Sequence, residues 1–226
     1  MKQIIINNGR EITFDIRPNT FDEFILQEIF KNKCYSRLIN PTLTKNDRWL
    51  DIGACFGAFA LSICNDVNNV YCCEPANENF KYLQKNIFLN NVSNIERYNG
   101  AVVGISGLNR IFYLNKNKNK GSHSFLVKRG RKEIKVNCVN INDIIKISKA
   151  NKIKLDCEGM ELEILNNMDF TSVNEIIFEF HFDILCKKDE KCYWDLIDLL
   201  KTKYDYVKHP THIKARNRIV YCKDKK

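Results

Sequence analysis

Trp49-Leu-Asp-Ile-Gly-Ala-Cys-Phe-Gly57 is the stretch on which the fold turns. Arg48–Ile52 reads as a short buried strand, and Gly57–Asn65 as a helix beginning where the strand's turn ends. Two glycines four apart at such a junction have separate uses. Gly53 lets the backbone turn sharply without a Cβ in the way, and Gly57 lets the helix start close to a ligand. The N–H groups at a helix start attract a carboxylate. Ala54 and Phe56 lie within this turn and count with it as ligand contacts. Asp51, at the strand end, is placed to meet an ammonium group directly or through water.

Working outward, Val70–Cys73 is a second strand, and it ends on Glu74, 23 residues beyond Asp51. An acid at that position can accept both hydroxyls of a ribose. A carboxylate site, an ammonium site and a ribose site in this order describe S-adenosylmethionine. The Gly-x-Gly-x-x-Gly fingerprint of a nicotinamide dinucleotide is absent. Pro75 and Ala76 after the acid, and Asn99 and Ala101 after the third strand, are expected to flank the adenine.

The rest of the chain supplies an alternating pattern. Residues 3–16 read as a hairpin turning at Asn8-Gly9, where both turn positions need positive φ. Asn19–Phe30 carries Phe21, Phe24, Ile25 and Ile29 at helical spacing, and a loop from Asn40 to Asn46 follows. Helices are expected over Asn77–Asn90, Asn142–Ala150, Met160–Asn167 and Lys191–Lys203. Strands are expected over Asn94–Asn99, Lys152–Asp156, Glu175–Phe182, Tyr206–Lys208 and Arg218–Cys222. Between them, 101–141 reads as an antiparallel insertion beside the sheet. The expectation is α/β: a class I methyltransferase Rossmann-like fold. Its mainly parallel seven-stranded sheet would close with a C-terminal antiparallel hairpin. Residues 1–47 would form an N-terminal hairpin and helix extension, and 48–226 the S-adenosylmethionine-dependent domain.

Composition sets limits. The 226 residues are 44% hydrophobic and 28% charged, enough for one such domain and too little for two. Ten cysteines include no Cys-x-x-Cys pair, so a zinc site has no support, and they sit within strand-like and helical stretches. No signal segment opens the chain, so buried reduced thiols in a cytoplasmic, reducing compartment are expected. No apolar run reaches the length of a membrane span. The net charge of +9 suits an anionic partner, nucleic acid or a phosphorylated or nucleotide-linked sugar, and equally suits plain solubility.

The reacting groups are sought where parallel strands end. Asp156 closes the fourth strand, Glu158 follows, and Glu179 and His181 share a face near the end of the fifth. Removing a proton from an aliphatic hydroxyl calls for a base. His181 or Asp156 is the candidate, with Glu158 orienting a partner or the acceptor. Asp156 with Glu179 or Glu158 would alternatively suit Mg²⁺. Glu161 and Glu163 read as helix-face acids. His209-Pro-Thr-His212 reads as a loop rather than a metal pair, and Ser122, His123 and Ser124 are placed to line an acceptor pocket.

Six stretches together resemble the FkbM family of methyltransferases. They are Leu50-Asp-Ile-Gly-Ala-Cys-Phe-Gly57, Cys73-Glu-Pro-Ala-Asn-Glu-Asn79, Leu83-Gln-Lys-Asn86, Asn99-Gly-Ala-Val-Val-Gly104, Val139-Asn-Ile-Asn-Asp-Ile-Ile145 and Ile153-Lys-Leu-Asp-Cys-Glu-Gly-Met-Glu161. The last matches a Lys-x-Asp-x-Glu-Gly-x-Glu pattern that the family carries at its fourth strand. The resemblance covers roughly 48–182 and implies O-methylation of a sugar, a glycan or a polyketide-like hydroxyl, often beside a glycosyltransferase. Two other readings stay open. One is an RNA ribose 2′-O-methyltransferase, for which Lys154, Asp156 and Glu179 supply part of a Lys-Asp-Lys-Glu tetrad. The other is a non-catalytic binding module on the same fold.

Overall fold

The computed structural model describes residues 1–105, 107, 109–186, 190–210 and 218–224. The chain opens with β1 (Lys2–Asn7) and β2 (Arg10–Asp15), paired antiparallel across a turn in which Asn8 and Gly9 have φ of 49° and 78°. These are the left-handed angles expected of an Asn-Gly hairpin. The single helix expected over Asn19–Phe30 is instead α1 (Asp22–Leu26) running into a π turn, Gln27–Lys31. A short helix, α2 (Ser36–Ile39), follows where none was expected, and the expected loop from Asn40 opens with a 3₁₀ turn, Asn40–Thr42.

From there strands and helices alternate: β3 (Arg48–Ile52), α3 (Ala58–Ile63), β4 (Asn69–Cys73), α4 (Asn77–Leu89) and β5 (Ile95–Tyr98). Next come β6 (Ala101–Val103), β7 (Asn109–Leu114), β8 (Lys132–Asn140) and α5 (Ile141–Ser148). The chain continues with β9 (Lys152–Leu155), α6 (Glu161–Asn166), β10 (Glu175–Glu179) and α7 (Phe182–Leu185). It closes with α8 (Lys191–Lys203), β11 (Tyr206–Lys208) and β12 (Ile219–Lys223).

Seven strands form one sheet in the order β11-β12-β10-β9-β3-β4-β5. Strands β5, β4, β3, β9 and β10 are parallel to one another, and β12 runs antiparallel to both β10 and β11. Strand order reverses between β3 and β9, so loops leaving their carboxyl ends diverge and open a crevice there. The insertion differs from expectation. Strands β6, β8 and β7 make a separate three-stranded sheet in which β6 pairs parallel to β8 and only β7 pairs antiparallel. Because β6 follows β5 directly while β8 returns from a long excursion, both run the same way. Glu163 of α6 ties the insertion down by accepting the N–H groups of Gly104 and Ile105 and pairing with Arg110 at 2.8 Å.

Each face of the sheet has its own core. One gathers Leu50, Ile153 and Phe178 with Ile144, Ile164 and Leu196 of α5, α6 and α8. The other gathers Trp49, Phe56, Phe59 and Leu83 with Ile12, Phe14 and Ile39. The N-terminal 47 residues are therefore part of the core packing on that face. Cys64, Cys72, Cys73 and Cys222 are buried thiols within the core. Among the described residues, no helix is long and apolar enough to cross a membrane.

Candidate active site

The crevice at the switch point is a cavity of about 220 Å³. One end is walled by Gly53–Phe56, Glu74, Pro75 and Gly100–Val102; the other by Asp156, Glu158 and Glu179. The turn after β3 is built from left-handed backbone: φ is 80° at Gly53, 50° at Cys55 and 89° at Gly57. A Cβ on Gly53 would lie 1.9 Å from the Asp156 carbonyl oxygen, so only glycine lets the two strand ends approach this closely. Gly57 caps α3 and is pressed against Leu83; it shapes the turn without lining the cavity.

Glu74 stands at the carboxyl end of β4 and is buried. It accepts the N–H groups of Cys55 (2.9 Å) and Ala76 (2.8 Å) and the side-chain amide of Asn79 (3.3 Å). Burial nevertheless pushes its carboxyl pKa up to about 7, against those stabilising donors. Glu74, Pro75 and Ala101 face the cavity, whereas Ala76 and Asn99 stand behind it. Asn99 donates to the Glu74 carbonyl at 2.9 Å and so braces the end of β4.

Asp51 lies elsewhere than expected. Its carboxylate is fully buried beneath the cavity floor, 3.1 Å from the Lys154 ammonium, and is not part of the cavity wall. Register explains this: Asp51 sits opposite Lys154 in the β3–β9 pair, and both side chains point to the same face. Lys154 also donates to the Gly53 carbonyl at 3.1 Å, which locks the glycine turn. Burial alone would lower the lysine pKa, but Asp51 and Asp156 together hold it above its usual range. Asp51 thus reaches the ligand turn only through Lys154.

At the other end, the structure brings together all three candidate reacting residues. His181 Nε2 lies 3.5 Å from Glu158 Oε2 and 3.9 Å from Asp156 Oδ1. The strand expected to run to Phe182 stops at Glu179, and His181 begins the turn into α7. Glu161, expected on an open helix face, is fully buried. It contacts His181 Nδ1 at 3.0 Å and accepts the N–H groups of Cys157 and Gly159 at 3.2 and 3.0 Å. Burial would lower the imidazole pKa, but Glu161, Glu158 and Asp156 outweigh it and push it up to about 10. His181 is therefore an imidazolium at neutral pH. Burial raises the Glu158 carboxyl to about 8, and Glu179 moves in the same direction through burial and the nearby Asp156 charge.

Asp156, Glu179 and His181 each offer one ligand atom, all within 4.8 Å of one another. Two carboxylates and a neutral imidazole backed by a third carboxylate, Glu161, would suit a divalent cation. Of the insertion residues, His123 lines the cavity. Its Nδ1 accepts the Asn115 N–H at 2.9 Å, and burial lowers its pKa to about 4, so the ring is neutral. Ser122 lies off this cavity, and Ser124 is buried on the Glu158 carbonyl. His209 packs edge-on against Trp194, and His212 lies outside the described residues.

Sequence reasoning missed two contributors. Glu28 and Tyr35, from the N-terminal segment, line the reacting end, and the Tyr35 hydroxyl donates to Asp156 Oδ2 at 3.2 Å. No pattern around either residue marks a contact that spans 121 positions.

Comparison with solved structures gives the fold. The methyltransferase FkbM of Methylobacillus flagellatus KT superposes with a TM-score of 0.53 at 15% identity over 83% of this chain. This chain spans 46% of that protein's length. An rRNA methylase from Streptococcus thermophilus matches at 8% identity and a TM-score of 0.47, covering 93% of this chain and 98% of its own. A tRNA methyltransferase from M. jannaschii matches at 14% identity and 0.47, over all of this chain and 57% of its own. No curated protein matches. The family model described as the methyltransferase FkbM domain matches residues 51–206, from the buried Asp51 to the first residue of β11. With that match over most of its length, the chain belongs to the FkbM family of methyltransferases.

Proposed function

We propose that this chain is an S-adenosylmethionine-dependent O-methyltransferase acting on a hydroxyl of a sugar or glycan. The observation that carries this reading is the continuous cavity at the switch point, which runs from Glu74 to Asp156 past the left-handed turn at Gly53 and Cys55. When bound there, S-adenosylmethionine supplies a methyl group on a sulfonium, which the acceptor oxygen takes by in-line displacement. Glu74 is the partner for the ribose hydroxyls, mainly through Oε2, which accepts only the Cys55 N–H, whereas Oε1 already takes the Ala76 N–H and the Asn79 amide. Ala54, Phe56, Pro75 and Ala101 provide the close wall; the N–H groups of Gly53 and Ala54 bond to the Cys73 carbonyl and that of Cys55 to Glu74, which leaves the Phe56 N–H of this turn for the methionine carboxylate.

Asp156 is the proposed proton acceptor. Its side chain is 32% exposed to the cavity, while one oxygen is held by Tyr35. His181, charged through Glu161, balances the carboxylates and orients them; an imidazolium has no lone pair with which to act as base. Glu158 faces the same space and is placed to contact the acceptor. A divalent ion held by Asp156, Glu179 and His181, the last only once its Nε2 has given up its proton, would add Lewis acidity toward the acceptor oxygen. The RNA reading has less support, because Lys154 is the one lysine lining the cavity among the described residues and is already committed to Asp51. Buried thiols such as Cys72 and Cys73 fit a reducing cytoplasm, and a glycosyltransferase is the expected neighbour in glycan assembly.

Titration calorimetry with S-adenosylmethionine tests the reading. Micromolar binding is expected to weaken at least about tenfold in Glu74→Gln, the equivalent of one strong hydrogen bond. Glu74→Ala should abolish it in protein that still unfolds cooperatively. No binding by the folded parent chain would reject the methyltransferase reading.

A further inference from the structure

The chain carries +9 overall, yet the reacting end of its cavity has the opposite sign. Glu28, Asp156, Glu158 and Glu179 all face it. Among the described residues the nearby cations are already engaged: Lys154 is paired with Asp51 and lies 3.8 Å from Asp156, His181 is paired with Glu161 and lies 3.5 Å from Glu158, and Arg218 is paired with Asp183 at 2.7 Å. Glu28 and Glu179 accept no side-chain hydrogen bond from the described residues, so their oxygens present open acceptor sites to the cavity. Two carboxyl groups with open acceptor sites on one wall favour a ligand that brings donors. The cofactor brings one ammonium, too few for both Glu28 and Glu179. A phosphate or carboxylate on the acceptor would face like charge in a partly desolvated space.

The wall is also assembled from two sources. Asp156, Glu158 and Glu179 lie within the family-matched 51–206, whereas Glu28 and Tyr35 precede it. Tyr35 is buried against Phe59 with ring centroids 5.6 Å apart, and its hydroxyl reaches Asp156. That bond leaves the other Asp156 oxygen for the acceptor.

Resting on the methyltransferase reading, we propose that the N-terminal segment completes the acceptor subsite. Glu28 binds an acceptor rich in hydroxyl or ammonium donors and free of negative charge, and Tyr35 is a positioning residue for Asp156. The acceptor class is accordingly a neutral polyol or an amino sugar.

The test uses the full chain loaded with S-adenosylhomocysteine and titrated calorimetrically with three probes: methyl glucoside, glucosamine and glucose 6-phosphate. Transfer from methyl-labelled S-adenosylmethionine to each probe is followed in parallel. Glucosamine or methyl glucoside is expected to bind at least about tenfold tighter than glucose 6-phosphate. Glu28→Gln should weaken glucosamine about tenfold and leave S-adenosylhomocysteine affinity within about twofold. Tyr35→Phe should lower kcat about tenfold with KM unchanged, the mark of a contact used in the transition state.

Equal or tighter binding of glucose 6-phosphate overturns the proposal. So does failure of all three probes to bind the loaded protein, or a Glu28→Gln loss that falls on the cofactor instead. A Tyr35→Phe effect confined to KM, or no effect, removes the positioning role. Failure of S-adenosylhomocysteine itself to bind is a separate result, which rejects the methyltransferase reading.

Discussion

At Gly53 a single hydrogen in place of a methyl decides whether the site exists. Its φ of 80° and the 1.9 Å approach to the Asp156 carbonyl combine two penalties that a side chain cannot relieve, because the obstacle is backbone. Gly53→Ala is expected to cost at least about 3 kcal/mol, read as a lowered urea midpoint. A change below about 1 kcal/mol would mean that the strand ends separate easily. The acids make a second prediction. Burial raises Glu74 to about 7 and Glu158 to about 8, above the unfolded values near 4.5. A raised carboxyl pKa means that the folded state favours the proton. The stabilisation is fully present below about pH 4.3 and is lost as pH rises through the folded values. Between pH 5.5 and 8.5 the ligand-free protein should therefore lose thermal stability, and Glu158→Gln should flatten the slope. A Tm rising across that window in the parent chain would contradict the burial argument. Gly53 and Glu74 were legible as residue types at a spacing. The Lys154 partner of Asp51 was not, because it follows from β3–β9 register, which no local pattern states.

Elements follow the same division. Strand β3, helix α8 and strand β11 occupy the residues expected for them, since each is a short apolar or strongly periodic run between clear breakers. Over Asn19–Phe30 the periodicity was real but belongs to a helix that widens into a π turn, which carries Glu28 and Ile29 into the cavity wall. The insertion over 101–141 was expected, but not its parallel β6–β8 pair, because alternation reports which face is buried and is silent on the neighbour's polarity. Helix α5 offers an element-scale test. Asn140 caps it by accepting the Asn142 N–H at 2.9 Å, and its amide donates to the Gly104 carbonyl at 2.8 Å, joining helix to insertion. Asn140→Ala should cost about 1 kcal/mol or slightly more, measured by denaturant unfolding, with cofactor affinity unchanged.

For the molecule as a whole, charge and site carry opposite signs. A chain of +9 should retain RNA electrostatically, so binding is expected to be weak and to fall steeply with salt. Such binding should give no methyl transfer to ribose, because the reacting end of the cavity is acidic. Salt-resistant RNA binding accompanied by transfer would reverse that ranking. The sequence by itself determined the layer architecture, the glycine turn, the acid that ends β4 and the strand ends that meet at the crevice. Each of these is written in residue types at short range, as hydrophobic period and breaker spacing. Tertiary structure alone decided that Asp51 serves Lys154, that Glu161 keeps His181 charged, and that Tyr35 and Glu28 reach Asp156's end of the cavity. Those are contacts between residues distant in the chain, fixed by register and packing, and a protonation state exists only once the neighbouring charges are in place.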